Sequence, residues 1–210
     1  MRKIFFKKNL IKIATASFLT LLVGCKPTPL EVEIRDTHVE SKAPASSMHG
    51  GNPAEVTWSE CSQQIGDNPC DFSLIDQEGN TFSLYDNFNT VIVLDFSAGW
   101  CGPCVQASMH VQGYQDKYGP QGFIWVTVLI ENSQGIPPSQ EDLVSWASFG
   151  GISTAPVLAA DRSMIDPAAE EGYPISAWPT IVVIDRNMIL KHGIIGWNEE
   201  IVTGWIEDAL

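Results

Sequence analysis

The cysteine pair Cys101 and Cys104, separated by Gly102 and Pro103, is the feature of the sequence best suited to chemistry. It lies between an apolar run of strand length and a segment with apolar residues at helical spacing. We therefore expect Cys101 at a helix amino terminus, where unpaired N–H groups and the helix dipole stabilise a thiolate. Cys104 would lie one turn further on, within reach of a mixed disulfide that it could resolve. Pro103 falls in the first turn, where its missing N–H costs nothing.

Two other roles are open to a cysteine pair with this spacing. A structural disulfide is one, and half of a structural zinc site is the other. Zinc needs two further ligands, and Cys61 and Cys70 are the cysteines that could supply them. The Gly-Pro spacer at a helix start favours redox chemistry, so we predict no metal site.

The elements around the motif predict an α/β fold with a central mixed sheet flanked by helices and an N-terminal hairpin extension. Turn residues 76–80 separate the two hairpin strands. The expected strands are 72–75, 81–84, 91–96, 123–130, 156–159, 181–184 and 188–190. The expected helices run from Cys104 to Tyr118, from after Ser139 to Phe149, and from Asn198. Asn198 should cap the last helix, with Ile201, Val202, Trp205 and Ile206 facing inward.

Three features in sequence order resemble the thioredoxin superfamily, and more closely its exported, membrane-tethered TlpA and ResA branch. They are Asp-Phe-Ser-Ala-Gly-Trp at 95–100, the Cys-Gly-Pro-Cys motif at 101–104, and Trp-Pro-Thr at 178–180. The resemblance covers about Asp71 to Leu210. It implies a thioredoxin-like fold and a thiol–disulfide oxidoreductase whose only redox group is the Cys101–Cys104 pair, with no further cofactor.

The resemblance also implies roles for residues outside the motif. Pro179 stands where the family has a cis-proline that faces the disulfide and shapes the substrate groove; a trans turn proline is the alternative. Asp95 stands where many members have a buried carboxylate with a raised pKa, which could relay the proton leaving Cys104. A capping or salt-bridging aspartate is the alternative.

The substrate groove implied by the family is bordered by residues of the motif and of the proline loop. They are Trp100, Gly102, Pro103 and Trp178. Trp100 would lie partly exposed beside the site, with simple packing as the alternative. Two residues depart from the family pattern and leave the direction of electron transfer open. Val105 stands where many members have Arg or Lys, and the bulky Trp178 stands where they have a small or β-branched residue.

A second cysteine pair, Cys61 and Cys70, lies nine positions apart before the first strand. We predict a structural disulfide closing a small loop, because nothing around these cysteines favours a thiolate. A second redox pair that passes electrons to Cys101 is the alternative.

The amino terminus predicts export and lipid anchoring. Residues 1–24 combine a basic start with a short apolar run, as in a signal peptide. Leu-Val-Gly-Cys at 22–25 resembles the bacterial lipobox, in which the cysteine carries lipid, so Cys25 would anchor the protein to a bacterial membrane. An ordinary signal peptide or a short anchor helix is the alternative. Residues 25–55 are rich in Pro, Ser and Gly and predict a flexible tether; residues 56–210 would form the folded domain.

The charge of the chain excludes one class of partner. The net charge is −13, and it is −18 without residues 1–24, which hold five basic residues and no acidic one. Such a body repels phosphate backbones, so we expect no nucleic acid partner. The expected partners are protein thiol or disulfide substrates and an upstream electron donor, and we expect a monomer.

The Gly-Pro spacer is typical of reducing family members, so we predict a cell-envelope reductase of partner disulfides. A peroxiredoxin shares the core of the fold, but its Pro, Thr and lone-Cys pattern is missing here. The alternative from another class is a docking module or a copper chaperone of the Sco type. Those chaperones use three residues between the cysteines and a distant histidine; His110 and His192 are the histidines near or after the motif.

Overall fold

The computed structural model describes residues 55–166, 168–169 and 172–210. Their strands are β1 (Ser73–Ile75), β2 (Thr81–Ser83), β3 (Val91–Ala98), β4 (Phe123–Glu131), β5 (Val157–Ala159), β6 (Thr180–Ile184) and β7 (Leu190–Ile195). Their α-helices are α1 (Gly102–Tyr118), α2 (Gln140–Gly150) and α3 (Glu199–Ala209). The predicted signal peptide, Cys25 and all but the last residue of the predicted tether (25–55) lie outside these residues.

The predicted mixed sheet with its hairpin extension is confirmed. Five strands are ordered β5-β4-β3-β6-β7, and β1 and β2 form a separate antiparallel pair. Strand β3 runs parallel to β4 and antiparallel to β6. All residues of β3 and β4 are buried, which explains their continuous apolar sequences.

Alternating side chains of the central strands supply two core clusters, one on each face of the sheet. The first cluster contains Val91, Val93 and Trp125 together with buried residues of all three helices. The second contains Ile92, Leu94 and Phe96, and is covered by the β1–β2 hairpin and by residues such as Tyr173. Cys101 and Cys104 belong to the first cluster.

The helix boundaries follow local signals. The Ser139 hydroxyl accepts the Asp142 N–H, and the Asp142 carboxylate accepts the Ser139 N–H, which makes a capping box at the start of α2. Asn198 caps α3 through its side chain, as predicted. Helix α1 ends at Tyr118, and residues 119–121 continue as a 3-10 turn.

Two predictions were wrong: where the second strand of the second hairpin begins, and which residues of the last helix face inward. Met188 and Ile189 belong to the turn, because the Asp185 carboxylate accepts the N–H groups of Asn187 and Ile189 and so lengthens it. Met188 takes a left-handed conformation there, with φ of 57°. His192 consequently lies within β7, where its ring stacks on Trp205, and not after the hairpin. On α3, Val202 and Ile206 are buried but Ile201 is exposed.

Among the described residues no helix is both long enough and apolar enough to cross a membrane.

Candidate active site

The cysteine pair lies where β3 passes into α1. Cys101 is the N-cap residue of α1 and has an extended backbone conformation. Its Sγ accepts the backbone N–H of Cys104 at 3.2 Å. The two cysteines form a disulfide with Cα atoms 5.2 Å apart, and both are buried. The leading sulfur therefore contacts a backbone donor of the first helical turn, the environment that favours a thiolate after reduction.

The rim of the site is formed by the residues next to the cysteines. Trp100 is 50% exposed, and Gly102 and Pro103 are exposed as well. The motif therefore presents a partly apolar surface to solvent beside a buried disulfide.

The proline loop reaches the same end of the sheet through strand pairing. Thr180 pairs with Phe96, near the end of β3 that leads into the motif. The Trp178–Pro179 peptide bond is cis, and Pro179 is buried. The carbonyl of Pro179 accepts the Gly196 N–H at 2.7 Å. Trp178 is half-buried and packs against both core clusters, the first of which contains the cysteines.

Asp95 is fully buried in the middle of β3. Strand alternation places it on the side of the first core cluster, two residues after Val93. Burial raises the pKa of Asp95 from 3.8 to about 7, against the opposing effect of a hydrogen bond from the Ser97 hydroxyl. A carboxyl in this state can take up or release a proton near neutral pH.

Two residues beside the site were not anticipated from the sequence. Glu131, the last residue of β4, is buried, and its Oε2 accepts the indole N–H of Trp100 at 2.7 Å. Its Oε1 accepts the Arg162 Nε–H at 2.6 Å. The position of Glu131 at the carboxyl end of a strand parallel to β3 was a usable signal. Arg162 had none, because 31 residues separate it from Glu131.

Gly99 allows the motif loop to approach the chain that follows β4. Its N–H donates to the Glu131 carbonyl at 2.7 Å. A Cβ at this position would lie 2.8 Å from the carbonyl carbon of Asn132 and from the amide nitrogen of Ser133. Only glycine fits this contact without moving backbone.

The second cysteine pair is not brought to the motif. Cys61 and Cys70 form a disulfide whose Cα atoms are 4.8 Å apart. The loop between them exchanges hydrogen bonds with Leu190 at the start of β7. Leu190 pairs with Ile184, and Ile184 pairs with Ile92 at the start of β3. The loop is thus fastened at the end of the sheet opposite the motif.

The two histidines considered for copper binding contact aromatic rings. The His110 ring lies 5.3 Å from that of Trp197, and the His192 ring lies 4.7 Å from that of Trp205. His110 Nδ1 is also 3.5 Å from the Glu199 carboxylate. Within the described part of the chain, no group of three or more His, Cys, Asp or Glu residues could hold a metal ion.

With this geometry in place, the sequence match decides the family. Residues 65–193, more than half of the chain, match the AhpC/TSA family. The chain belongs to the AhpC/TSA family. Thioredoxin-like protein YneN of Bacillus subtilis is 24% identical to this AhpC/TSA chain over 137 residues, which are 65% of this chain and 75% of YneN.

Solved structures of similar fold agree with this assignment. A protein from Chlorobium tepidum, described as thiol:disulfide interchange protein DsbE, is 28% identical, with a TM-score of 0.58 over 70% of this chain and 99% of the other. The exposed lipoprotein thioredoxin Etrx1 of Streptococcus pneumoniae is similar in fold, with 23% identity and a TM-score of 0.53 over 66% of this chain and 99% of the other. The predicted thioredoxin-like fold is confirmed, and the AhpC/TSA chain is a thioredoxin-like thiol–disulfide oxidoreductase.

Proposed function

We propose that this chain reduces disulfides of partner proteins in the cell envelope through Cys101 and Cys104. The observation that carries the proposal is the position of the Cys101 sulfur, which caps α1 and accepts the Cys104 N–H. A sulfur held there is stabilised as a thiolate and can attack a disulfide. The likeness to proteins described as thiol:disulfide interchange proteins supports protein substrates.

Two consecutive exchanges account for the reaction. The Cys101 thiolate attacks one sulfur of the substrate disulfide, which forms a mixed disulfide and expels the other sulfur as a thiolate. Cys104 then loses its proton and attacks Cys101 Sγ, which releases the second substrate thiolate. The substrate gains two electrons and two protons, and Cys101 and Cys104 become a disulfide that an upstream dithiol donor must reduce. No further cofactor is needed, because the two sulfurs carry both electrons.

Three residues support the exchange. Asp95 accepts the proton that leaves Cys104, for which a carboxyl with a pKa of about 7 is suited at neutral pH. Pro179 and Trp178 shape the groove into which the substrate backbone docks, together with the exposed Trp100, Gly102 and Pro103. The Cys61–Cys70 disulfide is a structural bond.

The direction of electron flow can be measured as a reduction potential. We expect a value near that of thioredoxin, about −270 mV, since the spacer is Gly-Pro. Equilibration with a glutathione or dithiothreitol buffer measures it. A value near about −120 mV would identify an oxidant instead.

We also propose that Cys25 carries lipid and anchors the mature chain to a bacterial membrane after removal of residues 1–24. The proposal rests on the lipobox-like sequence at 22–25, and the exposed lipoprotein Etrx1 is a precedent of the same fold. Mass spectrometry of the protein extracted from membranes should find an acylated Cys25 at the amino terminus. If the Cys25→Ala variant fractionated with membranes as fully as the wild-type protein, the lipid anchor would be refuted.

Turnover of a disulfide substrate tests the central proposal. In an insulin reduction assay with dithiothreitol, the wild-type protein should accelerate reduction and Cys101→Ser should not. When pre-reduced Cys104→Ser is mixed with insulin in the absence of dithiothreitol, it should accumulate a mixed disulfide between Cys101 and insulin, visible by mass spectrometry, because the resolving thiol is missing. Equal rates for wild type and Cys101→Ser would refute the proposal, and stoichiometric copper uptake would favour a chaperone.

A further inference from the structure

A small group of polar side chains lies on the buried face of β3 and β4 that belongs to the first core cluster. Asp95 and Ser97 are two residues apart on β3, and Trp125 and Thr127 are two residues apart on β4. Asp95 pairs directly with Thr127 in the parallel register. All four residues are fully buried. Burying polar groups at such a place costs free energy unless they hydrogen-bond to one another or take part in a reaction.

The two oxygens of the Asp95 carboxyl have different surroundings. Oδ1 accepts the Ser97 hydroxyl at 2.7 Å. Oδ2 is buried and, among the described residues, has no hydrogen-bond partner of ordinary geometry; the same holds for Trp125 Nε1 and Thr127 Oγ1. An oxygen that accepts a hydrogen bond is stabilised as an acceptor, so the proton of the neutral carboxyl belongs on the other oxygen.

We propose that Ser97 is a positioning residue for proton transfer, which fixes Oδ1 of Asp95 as an acceptor and leaves Oδ2 to take and release the proton. This inference rests on the proposed function, in which Asp95 receives the proton of Cys104. In the resolving step the Cys104 S–H bond breaks and an O–H bond forms at Oδ2. The Cys104 thiolate then attacks Cys101 Sγ, and the substrate sulfur leaves with the electron pair of the mixed disulfide.

In the part of the chain that the structure describes, the Ser97 hydroxyl is the one short hydrogen-bond donor to Asp95. Helix α1 and its N-cap contribute the cysteines Cys104 and Cys101 and the phenol Tyr114 to this cluster. Helix α3 and strand β6 face it with apolar residues such as Val202 and Ile181. At the end of β4, Glu131 is held by Trp100 and Arg162. Burial raises the pKa of Asp95, and the Ser97 hydroxyl and then the Trp125 indole lower it; no charged side chain of the described residues is among the causes.

Removal of the Ser97 hydroxyl should therefore make the carboxylate harder to form. In Ser97→Ala, the pH midpoint of the resolving step should rise by about one to two pH units, the effect of one hydrogen bond to a charged acceptor. The measurement is the single-turnover rate of mixed-disulfide resolution between pH 5 and 9. Ser108→Ala is the matched control, because Ser108 is equally buried but donates to the Val105 carbonyl; its midpoint should stay at the wild-type value.

A measurement on the wild-type protein covers the case in which Ser97→Ala does not fold. With ¹³C-labelled aspartate, the Asp95 carboxyl carbon titrates in the NMR spectrum, and the buried Ser97 hydroxyl proton should shift with the same midpoint. A hydroxyl signal that does not follow the carboxyl, or an unchanged midpoint in folded Ser97→Ala, would overturn the inference.

Asp95→Asn separates this inference from the proposed function. If Asp95→Asn abolishes the pH dependence of the resolving step while Ser97→Ala leaves it unchanged, only the role of Ser97 is wrong. If Asp95→Asn resolves the mixed disulfide with the wild-type pH profile, the proton relay itself is wrong and Ser97 has no reaction to position.

Discussion

The two cysteines of the motif differ in what surrounds their sulfurs. Cys101 follows a half-exposed tryptophan and precedes two exposed residues, and its sulfur meets a helix N–H group. Cys104 is completely buried one turn into α1. This difference fits the proposed reaction, in which the Cys101 sulfur exchanges with the substrate and the buried Cys104 sulfur reacts only afterwards, with the mixed disulfide at Cys101.

The burial of Asp95 has a cost that depends on pH. Since its pKa is 3.8 as an ordinary carboxyl and about 7 in the folded chain, the folded state binds more protons than the unfolded state between these values. The neutral Asp95 carboxyl favours the folded state over the unfolded state. This stabilisation is fully present below pH 3.8 and is lost as the pH rises through about 7. Over the whole interval the loss is about 4 kcal/mol, of which about 2–3 kcal/mol falls between pH 5 and 8.

We predict that Asp95→Asn is more stable than the wild type at pH 8, by a margin that shrinks as the pH falls to 5. The neutral amide has a similar size and is not ionised at any of these pH values. Urea unfolding of the oxidised proteins at pH 5, 6, 7 and 8 gives the comparison. A stability difference that stays constant from pH 5 to 8 would contradict a titrating, buried Asp95.

At the level of elements, the carboxyl ends of β3 and β4 determine where the motif lies. The motif loop crosses the chain after β4 at Gly99, where a Cβ would come within 2.8 Å of backbone atoms. The Glu131 side chain then holds Trp100 from the same strand end. The position of the cysteine pair thus depends on a backbone contact and on a buried carboxylate.

We predict that Gly99→Ala lowers the free energy of unfolding by about 1–3 kcal/mol and also lowers activity, because backbone must move to admit the methyl group. Gly113→Ala is the matched control. Gly113 lies on the exposed side of α1, and apart from its chain neighbours and the helix's own backbone no atom of the described residues lies within 4 Å of an added Cβ, so alanine should raise stability by about 0.5–1 kcal/mol. Denaturant unfolding of both variants checks the opposite signs. A Gly99→Ala protein as stable as the wild type would show that the contact is not tight.

Elements whose signals are local could be predicted from the sequence. The two central strands are continuous apolar runs, and the caps Ser139 and Asn198 act within their own first helical turns. The motif at the strand–helix junction followed from the same local patterns.

Side-chain contacts at and beside the site were the part of the structure that was not predicted from the sequence. Glu131, Trp100 and Arg162 meet only because β3, β4 and the segment after β5 come together. The hydrogen bond from Ser97 to Asp95 joins residues only two positions apart on β3, so strand alternation was a usable local signal for it. The left-handed backbone conformation of Met188 occurs in a turn held by hydrogen bonds to the Asp185 side chain, and the spacing of apolar residues in the sequence does not reveal such bonds.

For the whole molecule, the Cys61–Cys70 loop connects the N-terminal part of the domain to the edge of the sheet. The Gly66 N–H donates to the Leu190 carbonyl at 2.7 Å, and the Leu190 N–H donates to the Asp67 carbonyl at 2.9 Å. The Asn68 side chain donates to the Met188 carbonyl at 2.7 Å. The loop therefore covers part of β7, the last strand of the sheet.

We predict that replacing both Cys61 and Cys70 by alanine lowers stability by about 2–3 kcal/mol and leaves the reduction of insulin by Cys101 and Cys104 unchanged. The stability is lost because the unfolded chain has more conformational entropy without the disulfide. Thermal unfolding and the insulin assay, run on the same preparation, separate the two effects. Loss of turnover in a folded double variant would identify the pair as an electron shuttle.

The proposed reduction of disulfides requires the Cys101 sulfur to be a thiolate at neutral pH. The most direct test is the pH dependence of alkylation of the reduced protein by iodoacetamide, with the modified cysteine located by mass spectrometry. We predict that Cys101 is alkylated first, with a midpoint well below the value of a free cysteine, about 8.5, while buried Cys104 remains unmodified. A midpoint at or above that value, or preferential modification of Cys104, would contradict the account.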